Sequence, residues 1–330
     1  MRITNVTPHA AKLAVTLLLA AACALPEQSR AQPWPTRTIR IVAPFAPGGT
    51  ADTLGRLVAQ RLTETLKQSV IVENRSGAGG FIGSDLVAKA APDGYTLVIS
   101  GIASHVLAPA VAKAPFDPMR DFTHIALLGG PPTALIVNPN VPAKNLAEFI
   151  ALARAKPGEL SYGSPGNGTH GHLVAELLKL TTRIDMTHVP YKGASMALAD
   201  VIASHISAGA FTLTTSSAQI RAGKVRALAS TADKRLLDYP DLPTFAELGY
   251  PALTAITWFS LSGPAGLPAD IVIQLNAEVR RALVHPEVRE KTKIEGIEPN
   301  NLDAPQFVEF VRAEIARWTP VIKAANVKGG

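Results

Sequence analysis

Val42-Ala43-Pro44-Phe45-Ala46-Pro47-Gly48-Gly49-Thr50-Ala51-Asp52 closes a β-branched run and opens an amphipathic one. Upstream, Thr38-Ile39-Arg40-Ile41-Val42 reads as a strand that stops at Pro44. Downstream, Leu54, Leu57, Val58, Leu62 and Leu66 recur at helical spacing and form one apolar stripe. A Pro/Gly loop therefore joins a strand to a helix that begins near Thr50 or Ala51. The rhythm continues with a strand at Val70-Ile71-Val72, a helix over residues 81–90, and a strand over 95–100 after the Asp93-Gly94 turn. This β-α-β-α-β order predicts a parallel sheet covered by helices on both faces.

The alternation resumes past the middle of the chain. Residues 134–137, 160–163, 186–189, 208–213 and 225–230 read as strands, and 146–155, 171–180 and 194–203 as helices. A further strand is expected at Trp258-Phe259-Ser260-Leu261, followed by three closing helices over 269–283, 286–295 and 304–325. In the last of these, Phe307, Phe310, Val311, Ile315, Trp318 and Ile322 share one side, a stripe read as core packing.

A second loop has the form of the first. Ser161-Tyr162-Gly163-Ser164-Pro165-Gly166-Asn167-Gly168-Thr169 again leads from a strand through glycines into a helix. The first four N–H groups of a helix have no intrahelical partner, and the dipole there is positive. Glycines let such backbone approach an anion closely. Thr50 is placed to cap its helix or to donate its hydroxyl to a ligand, and Asp52 to satisfy first-turn N–H groups or orient the loop. Two such helix starts facing one cleft would grip carboxylate oxygens from both sides.

The bulk properties limit the alternatives. Arg2 and Lys12 precede or open an apolar stretch at residues 13–25, and Ser29-Arg30-Ala31 offers a small-x-small cleavage site. That stretch suits a signal-peptide core and falls short of the ~20 residues that span a bilayer. Residues 1–31 are therefore expected to be a removed signal peptide, and the chain to be periplasmic. The single cysteine, Cys23, lies inside the signal; an acylated Cys23 is the competing expectation. Loss of the signal lowers the formal charge from +6 by two. The remaining positive charges are scattered and aromatics make up only 5% of the chain, a poor footprint for nucleic acid.

The same residues carry enzyme lookalikes that fail on their details. The second loop has P-loop spacing without the lysine that reaches phosphates, and Ser76-Gly77-Ala78-Gly79-Gly80-Phe81-Ile82-Gly83 misses the dinucleotide spacing, with Ile82 where the third glycine belongs. Ser104-His105 lacks a nucleophile elbow, and His170-Gly171-His172 with Glu176 lacks a third strong metal ligand. Neither a metal nor any other cofactor is expected.

With these segments in place, the chain resembles the receptors of tripartite tricarboxylate transporters, the TctC-like or Bug family of extracytoplasmic solute-binding proteins. The resemblance is carried by Pro44-Phe45-Ala46-Pro47-Gly48-Gly49, Val72-Glu73-Asn74-Arg75-Ser76-Gly77, Ala91-Pro92-Asp93-Gly94-Tyr95, Ser164-Pro165-Gly166-Asn167-Gly168-Thr169, Val189-Pro190-Tyr191-Lys192-Gly193 and Ala222-Gly223-Lys224-Val225-Arg226. It implies a periplasmic-binding-protein type II-like α/β fold, two α/β lobes joined by two crossover strands. Residues 32–136 plus 260–330 would form one lobe and 137–259 the other.

By the same resemblance the ligand-binding residues would be Phe45, Ala46, Gly49, Thr50, Asp52, Ser164, Gly166, Asn167 and Thr169, with Ser100, Gly101 and Ser104 lining the floor. The implied partners are a small carboxylate and membrane permease subunits, and the implied state is a monomer without catalytic residues. A ligand sensor for a membrane signalling protein, or a periplasmic hydrolase using Ser104, His105 or His172, are the alternatives. One departure concerns Ser204-His205-Ile206-Ser207, where the family commonly shows a Gly-x-Val-Asp-like run with its acid at the position of Ser207. An ammonium group needs a carboxylate partner to offset desolvation, so the departure favours a carboxylate without a positive amine.

Overall fold

The computed structural model describes residues 34–327 except Ala46, Lys192, Glu295 and 298–300, and only the backbone of Ala78 and Ile294. The expected signal peptide and Cys23 lie outside the described residues. One compact body begins at Arg37.

Two five-stranded sheets organise that body. In the first, β1 (Ile39–Ala43) lies between β2 (Val70–Asn74) and β3 (Thr96–Gly101), followed by β10 (Phe259–Pro264) and β4 (Phe122–Gly129), in the order β2-β1-β3-β10-β4. The second orders β7 (Thr187–Pro190), β6 (Ser161–Ser164), β8 (Ala208–Thr212), β5 (Thr133–Val137) and β9 (Arg226–Ser230) as β7-β6-β8-β5-β9. β1 pairs parallel with β2 and β3, and β6 parallel with β7 and β8.

The parallel arrangement expected for β1, β2 and β3 is present, and two later strands depart from it. β10 runs antiparallel to β3 and β4, and β5 antiparallel to β8 and β9. Each enters its sheet from the other lobe, so no crossover helix forces it parallel. The chain leaves the first sheet at Gly129 and enters the second at Thr133, slightly ahead of the expected boundary at residue 136. The strand β4 and the helix α7 (Leu213–Arg221) were not foreseen.

Burial explains the local choices. Ile39, Ile41, Val42 and Ala43 are fully enclosed, as a strand covered on both faces requires. α1 (Thr50–Leu66) buries the stripe Leu54, Leu57, Val58, Leu62 and Leu66. α2 (Phe81–Ala88) and the π-turn Ala103–Leu107, which runs into α3 (Ala108–Val111), complete the first half. In the second sheet's layer stand α4 (Leu146–Ala155), α5 (His170–Thr182) and α6 (Ala194–Ile202). α8 (Ala269–Val284) and α9 (Pro286–Ile294) then lead to α10 (Ala304–Ala324).

α10 packs against β4, the π-turn and α5, and buries Phe307, Val311, Trp318 and Ile322. Glu314, buried on the same helix, accepts the indole N–H of Trp258 at 2.9 Å and that of Trp318 at 3.2 Å. The two crossover segments run side by side. Thr257 N–H donates to Pro131 O at 3.0 Å, Pro132 bridges Ile256, and a Cβ on Gly130 would stand 2.0 Å from Thr257 O.

Candidate functional site

The first loop is held by one carboxylate. Asp52, in the first turn of α1, accepts the Gly48 N–H at 3.0 Å and the Asn74 amide at 3.0 Å, and Arg56 closes on it at 2.9 Å. Asn74 also donates to Phe45 O at 3.1 Å, so β2, the loop and the helix share one knot. Burial alone would raise the Asp52 pKa, but the hydrogen bonds from Arg56, Gly48 and Asn74 hold it below the ordinary carboxylate value. Gly48 sits at φ 80°, in the left-handed region that the turn requires.

The second loop rests on a stack of rings. Ser164 Oγ accepts the Gly166 N–H at 3.2 Å and lies 2.7 Å from His188 Nε2. His172 Nδ1 accepts the Gly168 N–H at 3.1 Å, and the two imidazoles stack with centroids 3.8 Å apart. Thr169 donates its hydroxyl to Gly166 O at 2.7 Å. Burial pushes His172 down to about 4, helped by Lys179 nearby, so it stays a neutral acceptor at pH 7. Gly171 makes the close seating of α5 feasible, since a Cβ there would lie 2.2 Å from Ala210 O of β8.

Both helices open onto one cleft of ≈ 620 Å³. The first intrahelical bonds are Thr53 N–H to Gly49 O and Leu173 N–H to Thr169 O. The N–H groups of Thr50, Ala51 and Asp52, and of His170, Gly171 and His172, thus precede their ladders, and neither helix carries a side-chain cap.

Of the expected site residues, Phe45, Gly49, Thr50, Gly101 and Thr169 line the cleft. Ala46 lies outside the described residues. Asp52, Ser164, Gly166 and Asn167 are not among its lining; the first three are engaged in holding the loops. Ser100 is likewise displaced from the floor: its hydroxyl is 2.6 Å from Ser260 and 2.8 Å from Ser262, inside the first sheet. Ser104 is fully buried, with Oγ 3.0 Å from His105 Nδ1.

The remaining lining was not singled out beforehand. It includes the start of α6 at Gly193, Ala194 and Ser195, the hydroxyls of Thr133, Thr212 and Thr257, and the ring of Phe259. The α6 start had a legible signal, because Pro190-Tyr191-Lys192-Gly193 is a third strand-to-helix loop. His170 Nδ1 sits 2.8 Å from Thr257 Oγ1 and 3.3 Å from Thr133 Oγ1, joining α5 to both crossovers. None of the described lining residues is Asp, Glu, Lys or Arg. Ser207 is not on the cleft: its N–H meets Ser161 O at 3.1 Å where β6 and β8 meet.

Chemistry at Ser104 finds no support in the geometry. His105 is fully buried among Phe116, Phe122 and His124, and burial pushes its pKa well below the ordinary value. Among the described residues, no group of three or more His, Cys, Asp or Glu could hold a metal ion, and Glu176 instead accepts the Tyr162 hydroxyl and pairs with Lys179.

The family model for the tripartite tricarboxylate transporter family receptor matches residues 54–327. The chain belongs to that family. Protein BugT of Bordetella pertussis is 34% identical over 319 residues, 96% of this chain and 98% of BugT. A Rhodopseudomonas palustris protein solved with adipate is 38% identical with a TM-score of 0.80, covering 89% of this chain and 99% of that one. MatC of the same organism, solved with bound malate, is 34% identical with a TM-score of 0.76, covering 88% of this chain and 100% of MatC. This TctC-type receptor therefore has the two-lobed fold of periplasmic binding proteins, and among its described residues no helix is long and apolar enough to cross a membrane.

Proposed function

We propose that this receptor is a non-catalytic, periplasmic monomer that closes its cleft on a small carboxylate and passes it to the membrane subunits of a tripartite transporter. The carrying observation is the convergence of two uncapped helix starts, one from each lobe, on a single cleft. Their N–H groups and positive dipole ends suit carboxylate oxygens. The adipate and malate seen in related structures agree with that chemistry. In this reading the N–H groups of Thr50, Ala51, His170 and Gly171 bind the anion, while Asp52, Ser164 and Gly166 hold their loops in place. The lobes divide at residues 130–132 and 256–258, and closure bends those segments.

Ligand-dependent thermal stabilisation across a panel of small carboxylates, followed by calorimetry on the hits, tests the proposal. The expected result is saturable binding of at least one acid without turnover of its esters or amides. Thr169→Val removes the hydroxyl clamp on Gly166 O and should weaken that binding while the fold persists, with a stability loss of about 0.5–1.5 kcal/mol. Unchanged affinity would take Thr169 out of the site.

A further inference from the structure

Two phenyl rings differ from the other eight in their surroundings. The chain has ten phenylalanines, and eight of them are fully buried or packed against another ring. Phe45 and Phe259 are neither. Each is half-buried, has no ring partner among the described residues, and lines the cleft. Both are firmly seated. A Cβ on Gly80 would stand 3.2 Å from Phe45 Cζ, and a Cβ on Gly101 would stand 3.4 Å from Phe259 Cδ1, so glycine on each side leaves room for the ring.

From the other lobe the cleft is lined by the small residues Pro165, Gly171, Gly193, Ala194 and Ala210, alongside Thr169, His170, Ser195 and Thr212. Space at Gly193 is open, with nothing within 4 Å of a Cβ there. Aromatic rings left half-exposed in a cleft are surfaces for an apolar partner. The starts of α1 and α5 supply N–H donors for an anionic group, and none of the described lining residues is Asp, Glu, Lys or Arg.

Resting on the receptor reading above, we propose that the occupant is an aromatic carboxylate whose ring packs between Phe45, Phe259 and the small-residue wall. Its carboxylate lies at the starts of α1 and α5. A short hydroxylated diacid such as malate leaves the two phenyl faces uncovered. The preference of this cleft is set by Phe45 and Phe259.

Calorimetry with benzoate, phenylacetate and 3-phenylpropionate against malate and adipate tests this. The tightest aromatic acid is expected to bind at least about tenfold more strongly than either diacid. Phe259→Leu keeps apolar bulk and removes the ring; it should weaken that aromatic acid by about two- to tenfold, and by more than it weakens either diacid. Phe45→Leu provides the same comparison if Phe259→Leu fails to fold. Malate or adipate binding more tightly than every aromatic acid overturns the proposal while the carboxylate receptor stands, as does equal weakening of both classes by the ring substitution. Binding of no acid in the panel removes the carboxylate reading itself.

Discussion

Asp52 uses both oxygens to tie Gly48, Asn74 and Arg56 together at the start of α1. Asp52→Ala strips the Gly48 N–H and the Asn74 amide of a buried acceptor. We expect a stability loss of about 1–3 kcal/mol by urea denaturation, and a weaker ligand response in the same protein. Full stability would show that the loop holds its shape without the carboxylate. A loop-orienting part for Asp52 was legible, because a carboxylate in a first helical turn has few other tasks. The floor was misread for a geometric reason. Successive residues of a strand face opposite sides, so when Gly101 opens on the cleft, Ser100 turns into the sheet toward Ser260 and Ser262. Strand period alone does not say which side is the cleft. Ser207 was overread in the same way: its place beside Ser161 removes it from any statement about the ligand.

Among the elements, α5 depends most on one position. With Ala210 O only 2.2 Å from where a Gly171 Cβ would lie, Gly171→Ala must move the helix start away from β8. About 1–3 kcal/mol of destabilisation is expected, with loss of carboxylate binding because the donor N–H groups shift. Near-native affinity in Gly171→Ala would show that α5 does not position the anion. Most elements could be read from apolar spacing, as in α1, whose stripe is the buried face. β4 escaped notice because almost all of its residues are buried, so Phe122-Thr123-His124-Ile125-Ala126-Leu127-Leu128-Gly129 shows neither period. The directions of β5 and β10 were hidden for a different reason. Apolar runs carry no polarity, and pairing sense follows from the path by which the chain arrives.

For the molecule as a whole, buried imidazoles set the response to acid. Burial holds His124 and His172 near 4 and His170 near 3, below the 6.5 of an ordinary histidine, with Lys179 adding to the effect at His172 and Arg317 at His170. Between those values the unfolded chain binds protons that the folded chain does not. Stability is therefore complete above about pH 6.5 and declines as pH falls toward 4, by at most about 1.4 kcal/mol per pH unit for each of these rings. A melting temperature that falls steadily from pH 7 to pH 5 is the expected result; a constant one would mean that the imidazoles are accessible to protons in the folded state. The two-lobed plan was legible from paired loops and family segments, whereas the ring-lined wall was not, since Phe45 and Phe259 are far apart in sequence and share only the cleft that both line. The crossovers carry one more consequence. Residues 130–132 and 256–258 lie against each other with no room for a side chain at Gly130, so one segment cannot move without the other. In the closure proposed above, such a joint would favour one direction of bending and return the two helix starts to the same relative register.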